Sequence, residues 1–378
     1  MNRTELLPDR PGIPPMAKLP EAEVIDVDSL RRGLASGSID LICVLGPTAS
    51  GKTRYAVQLA QALGESEISP RASLGRDDKG PGALHAEIIS ADSRQVYRGM
   101  DIGTGKDLGE YGSVPYHLID IVPAGAKYNI YEYQRDFLAA YSDIRSRGAV
   151  PILCGGSGLY IEAATCGYQL MPMEPDPALR ASLEALSHEE LIRRVRALNP
   201  GIPDGVLQSK KRTIRALEVA LAGTQVQNGG SVHLSDAKSS VQVQNGGSVH
   251  LNGEKTPVQV QNGGSVHLSD GLPVNTYYIG TLVSREERVE RIDRRLHERL
   301  EEGLVEEVRA LLDSGIPADD LIYYGLEYKF VTQYVLGQLS YDDMETALAN
   351  AIHQFAKRQM TWFRGMERDG IRIHWTRV

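Results

Sequence analysis

The sequence predicts an α/β fold, a parallel sheet flanked by helices and built around a phosphate-binding loop. Two observations carry this. The stretch "VLGPTASGKTRYA" contains Gly46, Gly51, Lys52 and Thr53 in the pattern G-x-x-x-x-G-K-[ST]. It follows an apolar run and precedes a helical one, the context that a P-loop requires. Beyond it, apolar runs of strand length alternate with amphipathic stretches, which argues for a parallel sheet covered on both faces. At 378 residues the chain is long enough for one large P-loop NTPase-like domain and an appended part.

Residues 1–38 are rich in Pro and charge and read as a disordered arm, with a short helix near Asp28 to Leu34. The core is expected over 39–174. "DLICVLG" reads as a buried parallel strand, because both faces of such a strand are covered. "GKTRYAVQLAQALG" reads as a helix ending at Gly64. The polar, Gly/Pro-rich segment from Ser66 to Leu84 reads as a surface insertion. "AEIISAD" is a second strand with Asp92 at its carboxyl end, and "PYHLIDIV" a third. "YNIYEYQRDFLAAYSDIRSRG" is a helix closed by Gly148, and "AVPILCGGSGLYIEAA" a strand, a glycine turn and a helix. Residues 175–222 read as helical. After residue 274, "NTYYIGTLV" is one more strand, and the remainder to residue 378 reads as mostly helical.

Between these, over 223–273, the decamer "QVQNGGSVHL" occurs three times with a period of 17, starting at Gln225, Gln242 and Gln259. Alternating residues around Asn-Gly suit a small hairpin. Each unit is too poor in apolar residues to build a core, so the array reads as a dispensable surface insertion. His233, His250 and His267 recur with the repeat, and repetition alone explains their spacing.

Net charge is −8, so no global basic field points to nucleic acid, although a local basic groove remains compatible with it. Cys43, Cys154 and Cys166 form no metal spacing and read as buried, reduced thiols, which suits the cytoplasm. No apolar run reaches the ~18 residues of a membrane span, and the N-terminus lacks the apolar core of a secretory signal.

The residues from Gly46 to Thr53 (with Pro47, Thr48, Ala49 and Ser50) form an anion nest at a helix N-terminus. Lys52 adds a point charge, and the Thr53 hydroxyl is placed to ligate Mg²⁺. Asp92, at a strand end, suits a water-mediated metal contact, a general base or a helix cap. The loop "YRGMDIGTGK", ending in Lys106, reads as a phosphate-side or substrate-side loop. Gly155, Gly156 and Ser157 form a strand-to-helix turn lining the same crevice. Lys211, Arg212 and Arg215 lie within about one helical turn, and Lys357, Arg358 and Arg364 flank Trp362 and Phe363. Solvated helix faces explain such clusters as well as phosphate-backbone contact with stacking does.

"GPTASGKT", "IISADSRQVYRGMDIGTGK", "CGGSGLY", "KRTIRALEV" and "AKRQMTWFR" occur in this order. Together they resemble the tRNA dimethylallyltransferases, over roughly residues 40–65, 85–222 and 274–378. The resemblance implies transfer of a dimethylallyl group from dimethylallyl diphosphate to N6 of adenosine 37, beside the anticodon. It implies that the loop holds the diphosphate with Mg²⁺, that Lys52 and Thr53 contact it, that Asp92 accepts the amine proton, and that Arg285 reaches the diphosphate from the far side. It also implies tRNA or base contacts at Asp92, Ser93, Arg94, Gln95, Ser157, Arg180, Lys211, Arg212, Thr213, Ile214 and Arg215. The helices of 175–222 are then expected to grip the anticodon stem-loop. Nothing demands more than a monomer, and no membrane is involved. One departure stands out, "YYGLEYK" at Tyr323 to Lys329, where the family has G-Y-[KR]. The competing reading is an ATP-dependent P-loop kinase acting on a small metabolite, which shares Lys52, Thr53 and the strand-end Asp.

Overall fold

The computed structural model describes residues 19–65, 84–168, 176–202, 204–227, 248–251, 254–257 and 271–378. They fall into two compact units, one of residues 1–168 with 271–378 and the other of 169–270.

The larger unit starts with α1 (Val27–Ser36), capped by Asp26, whose carboxylate accepts from the Asp28 and Ser29 amides. Leu30 of α1 is fully buried, so residues 19–38 belong to the folded unit and the expected arm is shorter than 1–38. Residues 1–18, 66–83 and most of the repeat array lie outside the described residues. Next come β1 (Leu41–Leu45), α2 (Lys52–Gly64) and β2 (Ala86–Ser90). The expected third strand divides in two. β4 (Tyr116–His117) joins the main sheet, whereas β5 (Val122–Pro123) pairs with β3 (Tyr97–Arg98) in a small separate sheet. The break has a backbone cause, since Leu118 and Asp120 between them adopt φ of 63° and 57°, values that no strand accommodates.

α3 (Ile130–Ser146) opens with a capping box of Asn129 and Glu132. β6 (Val150–Gly155) and α4 (Gly158–Thr165) follow, and β9 (Thr276–Leu282) returns the chain to the sheet. The helical region is α9 (Arg285–Glu302), α10 (Leu304–Asp313), α11 (Ala318–Tyr324), α12 (Leu326–Val335) and α13 (Tyr341–Arg368). It is not helical to its end, because β10 (Ile373–Arg377) adds an edge strand.

The main sheet runs β10-β9-β1-β6-β2-β4 and every pairing is parallel. All residues of β1, β2 and β6 are buried, which is why β1 and β6 read as continuous apolar runs and β2 as one interrupted by the buried, paired Glu87. Alternation along β1 sends Leu41, Cys43 and Leu45 into one core with Phe137 and Phe363, and Ile42 and Val44 into another with Leu59 and Leu63. Each such side chain contributes about 1.5–3 kcal/mol on burial. A third core joins α9 to α13 with Val96, Tyr97 and Met100. Cys43 and Cys154 are buried as expected, but Cys166 is exposed.

The smaller unit holds α5 (Pro177–Glu184), α6 (His188–Leu198), α7 (Asp204–Leu207) and α8 (Lys210–Gln227) around Leu183, Leu191, Val195, Leu207, Ile214 and Leu217. α8 runs past residue 222 into the first decamer. An antiparallel hairpin pairs β7 (Ser248–Leu251) with β8 (Glu254–Pro257). Its strands are the end of the second decamer and the spacer after it. In sequence they are separated by Asn252-Gly253, the two-residue spacing that hairpins favour, and not by the Asn-Gly-Gly inside the decamer.

Candidate active site

A cavity of about 350 Å³ is lined by residues that follow the carboxyl ends of β1, β2 and β6, where open parallel sheets bind their ligands. From the P-loop it takes Thr48, Lys52 and Thr53. Gly51, at φ 78°, caps α2 with no side-chain hydrogen bond. The amides of the first turn are thus left to an anion. Desolvation holds the Lys52 ammonium below its ordinary pKa and Arg295 pushes the same way, while Cys154 and Asp92 pull it up. The Cys154 thiol, buried beside them, is pushed up to about 12, chiefly by desolvation. It stays a protonated, inert wall.

Two distant side chains fix the P-loop. Ser50 and Thr281 of β9, both fully buried, share a hydroxyl–hydroxyl bond of 2.6 Å. The Oε1 of Gln359 on α13 accepts from the Thr48 amide (2.8 Å) and hydroxyl (3.2 Å). Its Nε2 donates to the Gly156 carbonyl (2.9 Å). This packing explains the paired glycines of "CGGSG". A Cβ on Gly155 would lie 2.2 Å from the Ala91 oxygen, and one on Gly156 2.4 Å from Gln359.

Asp92 lines the cavity, and its Oδ1 accepts from the Arg94 amide at 2.9 Å. It therefore caps the turn after β2 while also lining the ligand space. Ser157 donates its amide to the Ala91 carbonyl, and its hydroxyl accepts from the Ser93 amide (3.2 Å). Gln95 bridges Ser90 (3.0 Å) and the Gly105 carbonyl (3.2 Å). Ser93, Arg94, Gln95 and Ser157 all line the cavity with Asp92.

The loop ending in Lys106 meets the cavity through its glycines and Thr104 rather than through the lysine. Gly103, Thr104 and Gly105 do line the cavity, but Lys106 points away from it. Its ammonium is buried, donating to Asp101 (2.5 Å), to Asp120 and to the Tyr97 carbonyl (2.7 Å). A lysine so enclosed staples its own loop. Glu307 of α10 secures the other end, accepting from the Asp101 and Ile102 amides (2.7 Å each), the Gly103 amide (3.1 Å) and the Tyr328 hydroxyl (2.7 Å).

Arg285 is an exposed residue at the start of α9 and is not among the residues lining the cavity. The α9 arginines that line it are Arg295 and Arg299. At 1.5 Å per residue, Arg295 lies about 15 Å further along the helix axis. Arg295 pairs with Asp107 and also donates to the Gly105 carbonyl, while Arg299 pairs with Glu327 at 3.2 Å. Desolvation raises the Glu327 pKa and lowers that of Arg299. The i, i+4 spacing of the two arginines was visible in sequence, but nothing there marked it against the other arginines of α9. Arg358 and Phe355 of α13 complete this wall with Tyr324, Gly325, Leu326 and Glu327. The last four belong to the departing "YYGLEYK" stretch.

In the smaller unit, Lys211 and Arg212 are exposed, whereas Thr213 and Ile214 are turned into the helical core and cannot meet a surface ligand. The Thr213 hydroxyl donates to Ser209 and bonds His188. Arg180 is spent in a bidentate pair with the buried Glu218 (2.9 and 3.0 Å), which also takes Arg215 (3.1 Å). These two arginines order the unit.

A phosphate loop, a carboxylate in the same cavity and a wall of arginines fit a P-loop group-transfer enzyme. The family model for IPP transferase matches residues 95–366. A tRNA dimethylallyltransferase 1 of Porphyromonas gingivalis is 47% identical over 339 residues, covering 89% of this chain and 93% of that protein. A tRNA dimethylallyltransferase 2 of Bacteroides fragilis is 45% identical over 342 residues, covering 89% and 92%. Among solved structures, the full-length tRNA isopentenylpyrophosphate transferase of Bacillus halodurans is similar, with TM-score 0.55, 28% identity and 89% of each chain covered. The chain belongs to the IPP transferase family.

Proposed function

We propose that this enzyme transfers the dimethylallyl group of dimethylallyl diphosphate to N6 of adenosine 37 in tRNA. The products are diphosphate and N6-isopentenyladenosine. Family membership supports this, and one observation carries it. Lys52 and Thr53 share a single cavity with Asp92 and with Arg295 and Arg299. The donor's diphosphate sits on the P-loop amides and Lys52, with the two arginines opposite. The bond between the allylic carbon and the diphosphate oxygen breaks as N6 bonds to that carbon. The weakly nucleophilic exocyclic amine needs placement and a proton acceptor, and Asp92 takes its proton. The departing negative charge falls on fixed donors.

Thr53 in the first turn of α2, together with the donor's diphosphate oxygens, suits Mg²⁺. Among the described residues no cluster of three or more His, Cys, Asp or Glu competes for a metal. When bound, the ion supplies charge neutralisation for the leaving diphosphate. The adenosine leaves the anticodon stack to enter the cavity, and Lys211 and Arg212 offer exposed charge for the phosphates of the anticodon stem-loop. We propose that it acts as a monomer. No described helix is long and apolar enough to cross a membrane, and the substrate places the reaction in the cytoplasm.

The test is incubation with labelled dimethylallyl diphosphate, Mg²⁺ and tRNA carrying unmodified A36-A37. Label should enter the tRNA. ATP turnover without label transfer would favour a kinase instead. Asp92→Ala should keep diphosphate binding and lose transfer by about 10²–10⁴-fold. If binding falls in step with transfer, Asp92 is structural.

A further inference from the structure

We propose that Leu326 sets the length of the allylic chain that the cavity accepts. The inference rests on the donor assigned above. An allylic tail has no hydrogen-bonding group, so apolar contacts alone can place it. The cavity offers few. Its lining carries five cations (Lys52, Arg94, Arg295, Arg299, Arg358) and two carboxylates (Asp92, Glu327), and Leu326 is its one aliphatic side chain among the described residues.

The backbone holds Leu326 there at a cost. Gly325, between α11 and α12, has φ 77° and ψ −174°, a conformation open to glycine. Leu326 follows at φ 42°, in the left-handed region that a leucine seldom enters. Two such residues in succession reverse the chain so that Tyr324, Gly325, Leu326 and Glu327 all border the cavity. Strain of this kind persists where the surroundings impose it, typically at ligand sites.

Both ends of the turn are pinned. The Tyr324 hydroxyl accepts from the Gly125 amide (2.8 Å) and donates to the Ala126 carbonyl (3.1 Å), while the Arg94 guanidinium lies over its ring at 5.8 Å. Glu327 is held by Arg299 at 3.2 Å. Leu326 is therefore part of a fixed wall. With Tyr324 and with Phe355 from α13 it gives a C5 tail an apolar stop, and a C10 tail meets the same stop one isoprene unit too early.

The test compares kcat/KM for dimethylallyl and geranyl diphosphate with the same unmodified tRNA in wild type, Leu326→Ala and Leu326→Gly. Glycine accepts the left-handed backbone without strain, so the second variant guards against misfolding of the first. The geranyl-to-dimethylallyl ratio should rise by about tenfold or more in both, the discrimination that a small apolar pocket change commands. Leu326→Phe should lower the value for dimethylallyl diphosphate. If Leu326 only supports the fold, both donors lose activity equally and the ratio stays put, which overturns the inference while the proposed transfer stands. A wild type that transfers from neither donor overturns both.

Discussion

Replacing Gln359 by methionine tests whether the C-terminal helix holds the phosphate loop in shape. The side chains are close in volume, so little of any effect comes from a void. What disappears is a carboxamide making three bonds, from the Thr48 amide (2.8 Å) and hydroxyl (3.2 Å) and to the Gly156 carbonyl (2.9 Å). Each is worth about 1 kcal/mol net, and a buried group left without a partner costs about 1–3 kcal/mol. The expected loss of stability is about 2–4 kcal/mol. Both tryptophans, Trp362 and Trp375, lie in the larger unit, so urea denaturation followed by fluorescence reads the affected part. Releasing Thr48 should also weaken inorganic diphosphate, measured by calorimetry, by about tenfold, the equivalent of ~1.4 kcal/mol. Gln359→Glu still accepts from Thr48 but cannot donate to Gly156 and brings negative charge to an anion site, so its diphosphate affinity should fall further. A methionine variant within about 0.5 kcal/mol of wild type, with unaltered diphosphate affinity, would refute the reasoning.

Two more outcomes follow from particular groups. Glu87 is buried on β2 and bonded to Arg147 and His117, and the Arg147 hydrogen bond leads in holding its carboxyl at about 2. Because the folded value lies below the unfolded one, the stability it confers is present at neutral pH. It fades as pH falls from about 4.5 to about 2. Discounted for the half-exposed Arg147, it is worth about 2–3 kcal/mol, so Glu87→Gln should lower stability at pH 7 by roughly that much and flatten the acid limb of a pH–urea series. Arg295→Ala should weaken inorganic diphosphate by about ten- to a hundredfold, as loss of a charge-assisted bond does, whereas Arg285→Ala should leave it within about threefold. The reverse ranking in a calorimetric titration would restore Arg285 to the site.

What was legible in the sequence follows a physical divide. β1, α2, β2, α3, β6, α4 and β9 each combine an apolar run of fitting length with a glycine, a cap or a polar break, and they were readable. β10 was not read, although Ile373 and Trp375 alternate inward, because five residues after a long helix give a period-2 signal little room. The splitting of the third strand had no signal, since Leu118 and Asp120 take left-handed backbone that their side chains do not announce. At the site, Lys52 and Thr53 open α2 after the glycine-rich loop, and Asp92 and Ser157 follow strand ends, each with local punctuation. Gln359, Thr281, Arg295 and Glu307 act from elements that meet the P-loop and its facing loop only in three dimensions. The burial of Thr213 and Ile214 was hidden because a basic cluster advertises charge and says nothing of which helix face is covered.

The strand order β10-β9-β1-β6-β2-β4 also bears on how the protein is made. β1 and its phosphate loop leave the ribosome well before β9, so β1 gains one of its two neighbours only when β9 appears. The loop meets Gln359 only after about 300 further residues, roughly 15–60 s of synthesis at ~5–20 residues per second. An unfinished chain therefore carries the GKT signature without a formed binding site. Until α13 has been made, the loop lacks the bonds from Gln359 that hold Thr48 and Gly156 together.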